Sequence, residues 1–479
     1  MAPDKKNIQG HIWPGLPKNN ETYFSFKIPD GSEDEFRQAL KSLVGDDQIT
    51  TAQQALDDRS KIAEHKQNGD AGCLEVVGVN IAFCPRGLHK IGKTGNTADG
   101  PACGGDEFNW GMYKERGAFG QDDLSQWMQE FHNPGDPWVE HPPDVRLHDG
   151  LLIVSGDSEK TVSDKLDEIL NRFGSSLEET LRIDGKVRPG DNRGREHFGF
   201  KDNISQPALE GLDTPPAGKA PRMVPPHYIF VDPSKDSKSP QWAADGSFLV
   251  FRKMQQLVPE FDRFLAEKGP ECSPNLPPEH AAGLLGARLV GRWKNGAPVD
   301  IAPDHDDPSL PVNQLNSFDY STNSNDPRVR CPFAAHTRKV RPRSDDKNKD
   351  THAILRRGIA YGDEVTDEER SMQKTDMGNG DRGILFVGYQ SDLFQGFRTL
   401  QSKWANGQHF PTAKQRITGP GGPGLDPIIG QNAKTNVPRD ISLANGMGYA
   451  PRLPLEQWVI PRGGDYFFSP SIGELGNVA

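Results

Sequence analysis

Three short segments of this chain hold side chains whose types and spacing could do chemistry. In Glu196-His197-Phe198-Gly199-Phe200-Lys201-Asp202-Asn203-Ile204-Ser205-Gln206-Pro207 a glycine comes shortly before a carboxylate. Gly199 lets the backbone approach something flat or bulky, and Asp202 then offers a carboxylate there. Taken alone, the segment reads as well as a turn whose aspartate bonds local backbone. In Cys331-Pro332-Phe333-Ala334-Ala335-His336-Thr337-Arg338-Lys339-Val340-Arg341-Pro342-Arg343 a histidine among small apolar residues is followed by three arginines. That imidazole could bind iron while guanidinium groups neutralise the propionates of a haem. The plainer alternative is a satisfied histidine beside a solvated basic loop. In Ala353-Ile354-Leu355-Arg356-Arg357-Gly358-Ile359-Ala360-Tyr361-Gly362 two arginines follow an apolar, strand-like run. Strand neighbours face opposite ways, so one arginine can enter a buried site while the other points out. A surface ion pair would explain them equally.

These segments need elements to hold them. A strand followed by an amphipathic helix recurs along the chain. Tyr23 to Ile28 leads into Glu33 to Leu43, and Leu151 to Ser155 into Glu159 to Phe173. In the latter, Val162, Leu166, Ile169 and Leu170 fall on one helical face. Ser247 to Arg252 leads into Pro259 to Glu267, and Gly383 to Tyr389 into Asp392 to Trp404. Asp, Ser or Pro stands near each helix start, where capping chemistry belongs. The strands are too few and too separated for a large parallel sheet. Two duplicated α+β sandwiches, each an antiparallel sheet with helices packed on it, fit better. The boundaries expected are an N-terminal domain over 1–206, a Pro-rich surface connection over 207–245, and a C-terminal domain over 246–479. Inside the latter, the long polar stretch Asn295 to Asp350 follows a helix-like segment, Glu279 to Trp293; a loop of that length in a compact domain is usually functional.

Bulk properties exclude several classes. The 479 residues carry a net charge of −11, which argues against a general nucleic-acid partner. No apolar run approaches a membrane span. Five cysteines, Cys73, Cys84, Cys103, Cys272 and Cys331, show no CxxC or zinc-like spacing, and their odd number leaves at least one thiol free or intermolecular. Met1 to Gly10 is polar, so no signal peptide is visible, as would also hold for a mature secreted form. Glycosylation sequons occur at Asn20, expected in a loop, and at Asn203, expected to be occluded.

Together the three segments resemble the dye-decolourising peroxidases. Gly199-Phe200-Lys201-Asp202-Asn203 looks like the family's GxxDG signature, His336-Thr337-Arg338-Lys339 its proximal histidine segment, and Arg356-Arg357-Gly358 the segment of its distal arginine. Asn7-Ile8-Gln9-Gly10 resembles the family's start and Tyr466-Phe467-Phe468-Ser469-Pro470-Ser471 its end. The likeness is nearest to the larger, fungal-type members. One residue departs: the last glycine of the signature is Asn203. Asn tolerates left-handed backbone second only to glycine, so the turn should persist.

The resemblance implies two ferredoxin-like domains, with haem b mainly in the C-terminal half and His336 as its iron ligand. Asp426, in Gly424-Leu425-Asp426-Pro427, would accept from the other ring nitrogen of His336 and raise its basicity. Asp202 would move the proton of hydrogen peroxide and Arg356 would stabilise the developing charge, with Arg357 structural. Ile384 and Phe386, two apart on one strand, would line the peroxide side. Arg338 would contact a propionate. Trp404 and Tyr361 match positions at which bulky dyes or phenols are oxidised at the surface. Mn(II) is a further partner that acidic clusters could bind, and an extracellular location is expected. The competing readings are a haem-handling protein with little turnover, which would need His336 but not Asp202 and Arg356, and a non-haem α+β binding protein.

Overall fold

The computed structural model describes residues 3–94, 104–119, 122–132, 148–214, 223–236, 238–320, 330–412, 418–433, 435–443 and 452–478. In the N-terminal half, β1 (Asn20–Lys27) precedes helices Glu33–Gly45 and Ala52–Gln67, and β2 (Val77–Phe83) follows. Next come β3 (Gly150–Gly156), the helix Glu159–Phe173 and β4 (Glu178–Lys186). Ser158 starts that helix by accepting a hydrogen bond from the Thr161 N–H, and Val162, Leu166, Ile169 and Phe173 bury one face, as their spacing dictates. The strands pair antiparallel in the order β4-β1-β3-β2, the arrangement a split βαβ repeat produces.

The C-terminal half repeats the scheme. It comprises β5 (Ser247–Gln256), the helices Val258–Cys272 and Pro278–Val290, β6 (Leu355–Arg356), β7 (Ile359–Tyr361) and β8 (Gly383–Gln390). The helix Phe394–Ala405 follows, then a small pair β9 (Asp440–Ser442) and β10 (Arg452–Pro454), and finally β11 (Val459–Ser469). Here the order is β11-β5-β8-β6, with β7 also on β8. The two halves join where Phe468 of β11 pairs with Phe83 of β2, so nine strands form one sheet among the described residues. Its far edges approach at Gly185, where an added side chain would meet Ile359 and the Ala360 carbonyl. The sheet therefore curls toward closure, an α+β fold with helices packed on antiparallel strands.

Two packed regions matter for function. Phe26, Phe36, Phe83 and Phe173 interlock under the N-terminal helices, with Phe36 and Phe173 stacked at 4.6 Å. A second cluster joins Phe198, Phe200, Phe261, Phe264, Trp458 and Ala334. It fixes the turn before Asp202 and the segment before His336 to the same mass of apolar side chains.

Several expectations need correction. The Pro-rich connection is not merely a surface segment: Leu209, Val224, Ile229, Phe230 and Val231 are buried in the main core, because the chain folds back to bridge Leu209 with Val224. Asn20 begins β1 rather than lying in a loop. Cys73 and Cys272 are exposed free thiols and Cys331 a buried one, Cys84 is buried with its Sγ 3.0 Å from the His148 carbonyl, and Cys103 lies outside the described residues. Among the described residues no helix is long and apolar enough to cross a membrane.

Candidate active site

One cavity of about 300 Å³ gathers residues from all three segments. Asp202, Arg356 and His336 line it, together with Ile384 and Phe386. On β8 the alternation is direct: Leu385 and Val387 face the core while Ile384 and Phe386 open to the cavity. Val290, Phe397, Leu400 and Ile429 supply further apolar wall, and Arg292, Arg341 and Arg343 supply positive charge.

His336 opens a five-residue helix, His336–Val340, directly after the buried Ala334 and Ala335. Gly291 lets the end of a neighbouring helix come close, since an added Cβ would lie 2.0 Å from the Thr337 hydroxyl. The Nδ1 atom of His336 lies 2.9 Å from Oδ2 of Asp426. A carboxylate can only accept, so Nδ1 carries a proton, and in the neutral ring Nε2 keeps its lone pair. Among the described residues no partner takes Nε2. Asp426 is fully buried, and its Oδ1 accepts from the N–H groups of Ile428 and Ile429 at 2.8 and 3.0 Å. Burial pushes its carboxyl up, but the His336 charge and hydrogen bond and the two backbone donors prevail and hold it below its ordinary range.

Across the cavity, the Glu196 carboxylate accepts from Phe198 N–H at 2.9 Å and from Phe200 N–H at 2.8 Å, shaping the turn that contains Gly199 at φ 92°. Asp202 follows. Its Oδ1 accepts from the Asn203 N–H at 2.6 Å and from Nη1 of Arg356 at 3.1 Å. Desolvation raises the Asp202 carboxyl, but the Arg356 charge, the Asn203 N–H, the Arg356 hydrogen bond and the His336 charge together hold it below its ordinary value. Arg357 turns the other way, and its Nε donates to the carbonyls of His11 and Ile12. A second cavity, of about 530 Å³, shares Asp202, Asn203, Arg356 and Gly358 with the first and is lined also by Lys18, Arg59, Lys66 and Arg357.

Asn203 takes φ 59°, the left-handed geometry expected of a residue replacing glycine. It is exposed rather than occluded, because its side chain lies at the rim shared by the two cavities. Arg338 is not at the cavity. Its guanidinium is buried against Asp345 at 2.6 Å, donates to the Cys331 carbonyl, and lies over the Tyr320 and Phe333 rings. Arg341 and Arg343 do line the cavity, with the Arg341 guanidinium also paired to Asp350 at 2.7 Å and that of Arg343 donating to the Asn316 and Phe318 carbonyls.

The two expected surface aromatics are buried. Trp404 is 3 % exposed, stacked on Phe410 at 5.1 Å and edge-on to His352 at 5.0 Å. Tyr361 is 4 % exposed and donates to Asp381 at 2.9 Å; burial and that carboxylate push its phenol up. The Lys339 ammonium, pushed down by burial to about 7 while Asp426 pulls it up, donates to the Trp404 and Gly407 carbonyls and ties the histidine helix to the indole's backbone. Sequence reasoning missed Glu196 as turn-former and Gln206 as the partner of the Arg356 backbone. Both stand inside the quoted motif, but nothing in their spacing marks which backbone they bond.

The site has the donor set of a haem peroxidase: an imidazole with a free nitrogen, apolar walls, cations at the rim, and an acid–cation pair opposite. Profiles described as DyP dimeric alpha+beta barrel domain and Dyp-type peroxidase, C-terminal, match residues 7–189 and 288–418. Dye-decolorizing peroxidase AauDyP1 of Auricularia auricula-judae is 35 % identical over 484 residues, covering 98 % of this chain and 86 % of the relative. A solved ancestral D-type dye-decolorizing peroxidase superposes with a TM-score of 0.85 at 43 % identity, covering 99 % of both chains. A dye-decolorizing peroxidase solved in complex with 2,6-dimethoxyphenol gives 0.82 at 36 % identity, also over 99 % of both chains. The chain is thus an oxidoreductase of the peroxidase class. It belongs to the dye-decolourising peroxidase family, among its fungal-type members.

Proposed function

We propose that this chain holds haem b in the first cavity and uses hydrogen peroxide to oxidise dyes, phenols and related aromatic donors one electron at a time. The observation that carries this reading is the opposition of two pairs across one cavity, His336–Asp426 and Asp202–Arg356. His336 would hold the iron through Nε2, with Asp426 fixing the ring and its tautomer. Arg341 and Arg343 would face the propionates, and Ile384 and Phe386 the peroxide side. Haem, when bound, supplies the iron that takes up the oxidising equivalents of peroxide.

Asp202, ionised because Arg356 pairs with it, accepts a proton from one peroxide oxygen and returns it to the oxygen that leaves. Oδ1 is occupied by Asn203 and Arg356, and among the described residues no donor takes Oδ2, so Oδ2 is the atom that moves the proton. Arg356 stabilises the negative charge that develops as the O–O bond breaks. The second cavity reaches the same two side chains and suits entry of a molecule as small as peroxide. For donors too bulky to enter the first cavity, electrons would pass through Trp404 as an internal relay beneath Phe410, with Tyr361 a second relay. The phenol bound by a family relative supports aromatic donors. Mn(II) would be a further one-electron donor.

The domain boundaries at 206 and 245, and an extracellular location, accompany this reading. Retention of both Asp202 and Arg356 favours turnover over haem handling alone. The test is the optical spectrum of protein expressed with ample haem, before and after peroxide. A Soret band that changes with peroxide, and is lost in His336→Ala, is the expected result. A wild-type protein without a Soret band would overturn it.

A further inference from the structure

Arg356 touches Asp202 through one hydrogen bond, and something must hold the arginine at that reach. The side-chain amide of Gln206 pairs with the backbone of Arg356 on both sides: Oε1 accepts from the Arg356 N–H at 3.0 Å, and Nε2 donates to the Arg356 carbonyl at 3.0 Å. This is the pairing a neighbouring strand would make, supplied by one side chain at the end of β6. The same Nε2 donates to Oδ1 of Asn203 at 2.5 Å. The guanidinium itself donates from Nη2 to the Ser205 carbonyl at 3.2 Å, next to Gln206 in the chain. The acid and the cation are thus fastened to each other by Asn203, Ser205 and Gln206, three of the four residues that follow Asp202.

We propose that Asn203 and Gln206 form a clamp that sets how Arg356 meets Asp202, and that both are positioning residues for the peroxide step. The inference rests on the reading of Asp202 as proton carrier. It explains what an amide does where the family signature has glycine. Glycine at φ 59° would make the same turn but could not bond Gln206. Asn203 keeps the turn and orients the Gln206 amide, so its oxygen faces the Arg356 N–H and its nitrogen faces the Arg356 carbonyl. Because Asn203, Asp202 and Arg356 line both cavities, the clamp also fixes the wall they share.

The test compares the holoenzyme with Gln206→Leu, Asn203→Gly and Asp202→Asn. Rapid mixing with peroxide gives the rate across pH, and optical titration gives cyanide affinity as a readout independent of turnover. Gln206→Leu removes both backbone bonds and should slow the peroxide reaction by about tenfold or more. Its acid limb should move to higher pH, because a loosened Arg356 no longer keeps Asp202 ionised. Asn203→Gly keeps the backbone conformation and should show the same changes in smaller degree, about two- to fivefold, so the inference stays testable if Gln206→Leu fails to fold. Cyanide affinity should change in both, while the ratio of haem to protein stays that of wild type. A slowed Asp202→Asn with wild-type rates, pH limbs and cyanide affinity in both clamp variants would overturn the clamp and leave the mechanism standing. An Asp202→Asn as fast as wild type would overturn the mechanism on which the clamp rests.

Discussion

The two faces of the cavity are built by opposite rules. On the His336 side the carboxylate is sealed: Asp426 is fully buried and takes two backbone N–H groups and an imidazole. On the opposite side Asp202 and Arg356 leave 40 % and 35 % of their side chains accessible and meet through one hydrogen bond. Both carboxyls are held below their ordinary range against the cost of desolvation, but by different means. The His336 ring and then two fixed backbone N–H groups serve the holding side, and a side-chain cation with one backbone N–H serves the reacting side. A group that must orient a ligand gains from being immobile and dry, whereas one that must exchange protons needs an open oxygen and space beside it.

Predictions follow from breaking each face separately. The largest effect should come from the open face. Asp202→Asn removes the proton acceptor and should slow reaction with peroxide by about 10²- to 10⁴-fold with haem retained, as read by rapid-mixing spectroscopy. Arg356→Leu should cost about 10²- to 10³-fold and also change the pH profile. In wild type the carboxylate form of Asp202 persists below its ordinary value of 3.8, so the rate should fall only as the pH drops through that depressed value. Without Arg356 the midpoint should move upward, toward or beyond 3.8, and an unmoved acid limb would sever the link between the two residues.

The sealed face should respond less in rate and more in holding. Asp426→Asn should weaken haem retention or activity by about 10- to 100-fold, measured by haem transfer to a competing acceptor. Asp426 has a depressed pKa in the folded state, so its stabilising contribution is present above the unfolded value and is lost as pH falls through the folded one. Thermal melts of wild type should therefore lose stability in that acid window, and Asp426→Asn should lose less there. The smallest effect is expected at the covered indole. Phe410→Ala should raise oxidation of bulky dyes by a few-fold while leaving small phenols unchanged, because it uncovers Trp404. Trp404→Phe should lower the bulky dyes selectively, and equal loss for both donor sizes would remove the indole from the route.

Periodicity made much of this architecture legible. Helix Glu159–Phe173 and strand Gly383–Gln390 carry clean 3.6- and 2-residue patterns, and the latter assigns Ile384 and Phe386 to the cavity face. Other elements carried no such mark. Helix Ala52–Gln67 buries only Ala52 and Ala55, and β4 is an edge strand with mostly exposed residues, so neither needs an apolar stripe. Strand Val459–Ser469 is interrupted by Pro461, Gly463 and Gly464, which read as breakers, and its pairing with β5 shifts register between Pro461 and Gly463. At the site, residue types indicated His336, Asp202 and Arg356, but direction was not encoded locally. Arg338 turns away because Asp345 and two rings await it. Trp404 is covered because a turn returns Phe410 onto its face, and contacts of that kind arise from the tertiary path.

The central claim, one holding face and one reacting face, is tested most directly by one measurement on two variants: the optical spectrum before and after peroxide for His336→Ala and Asp202→Asn. The account predicts that His336→Ala loses the Soret band, while Asp202→Asn keeps it but changes slowly when peroxide is added. Full haem occupancy with rapid response in His336→Ala, or a wild-type response in Asp202→Asn, would contradict it.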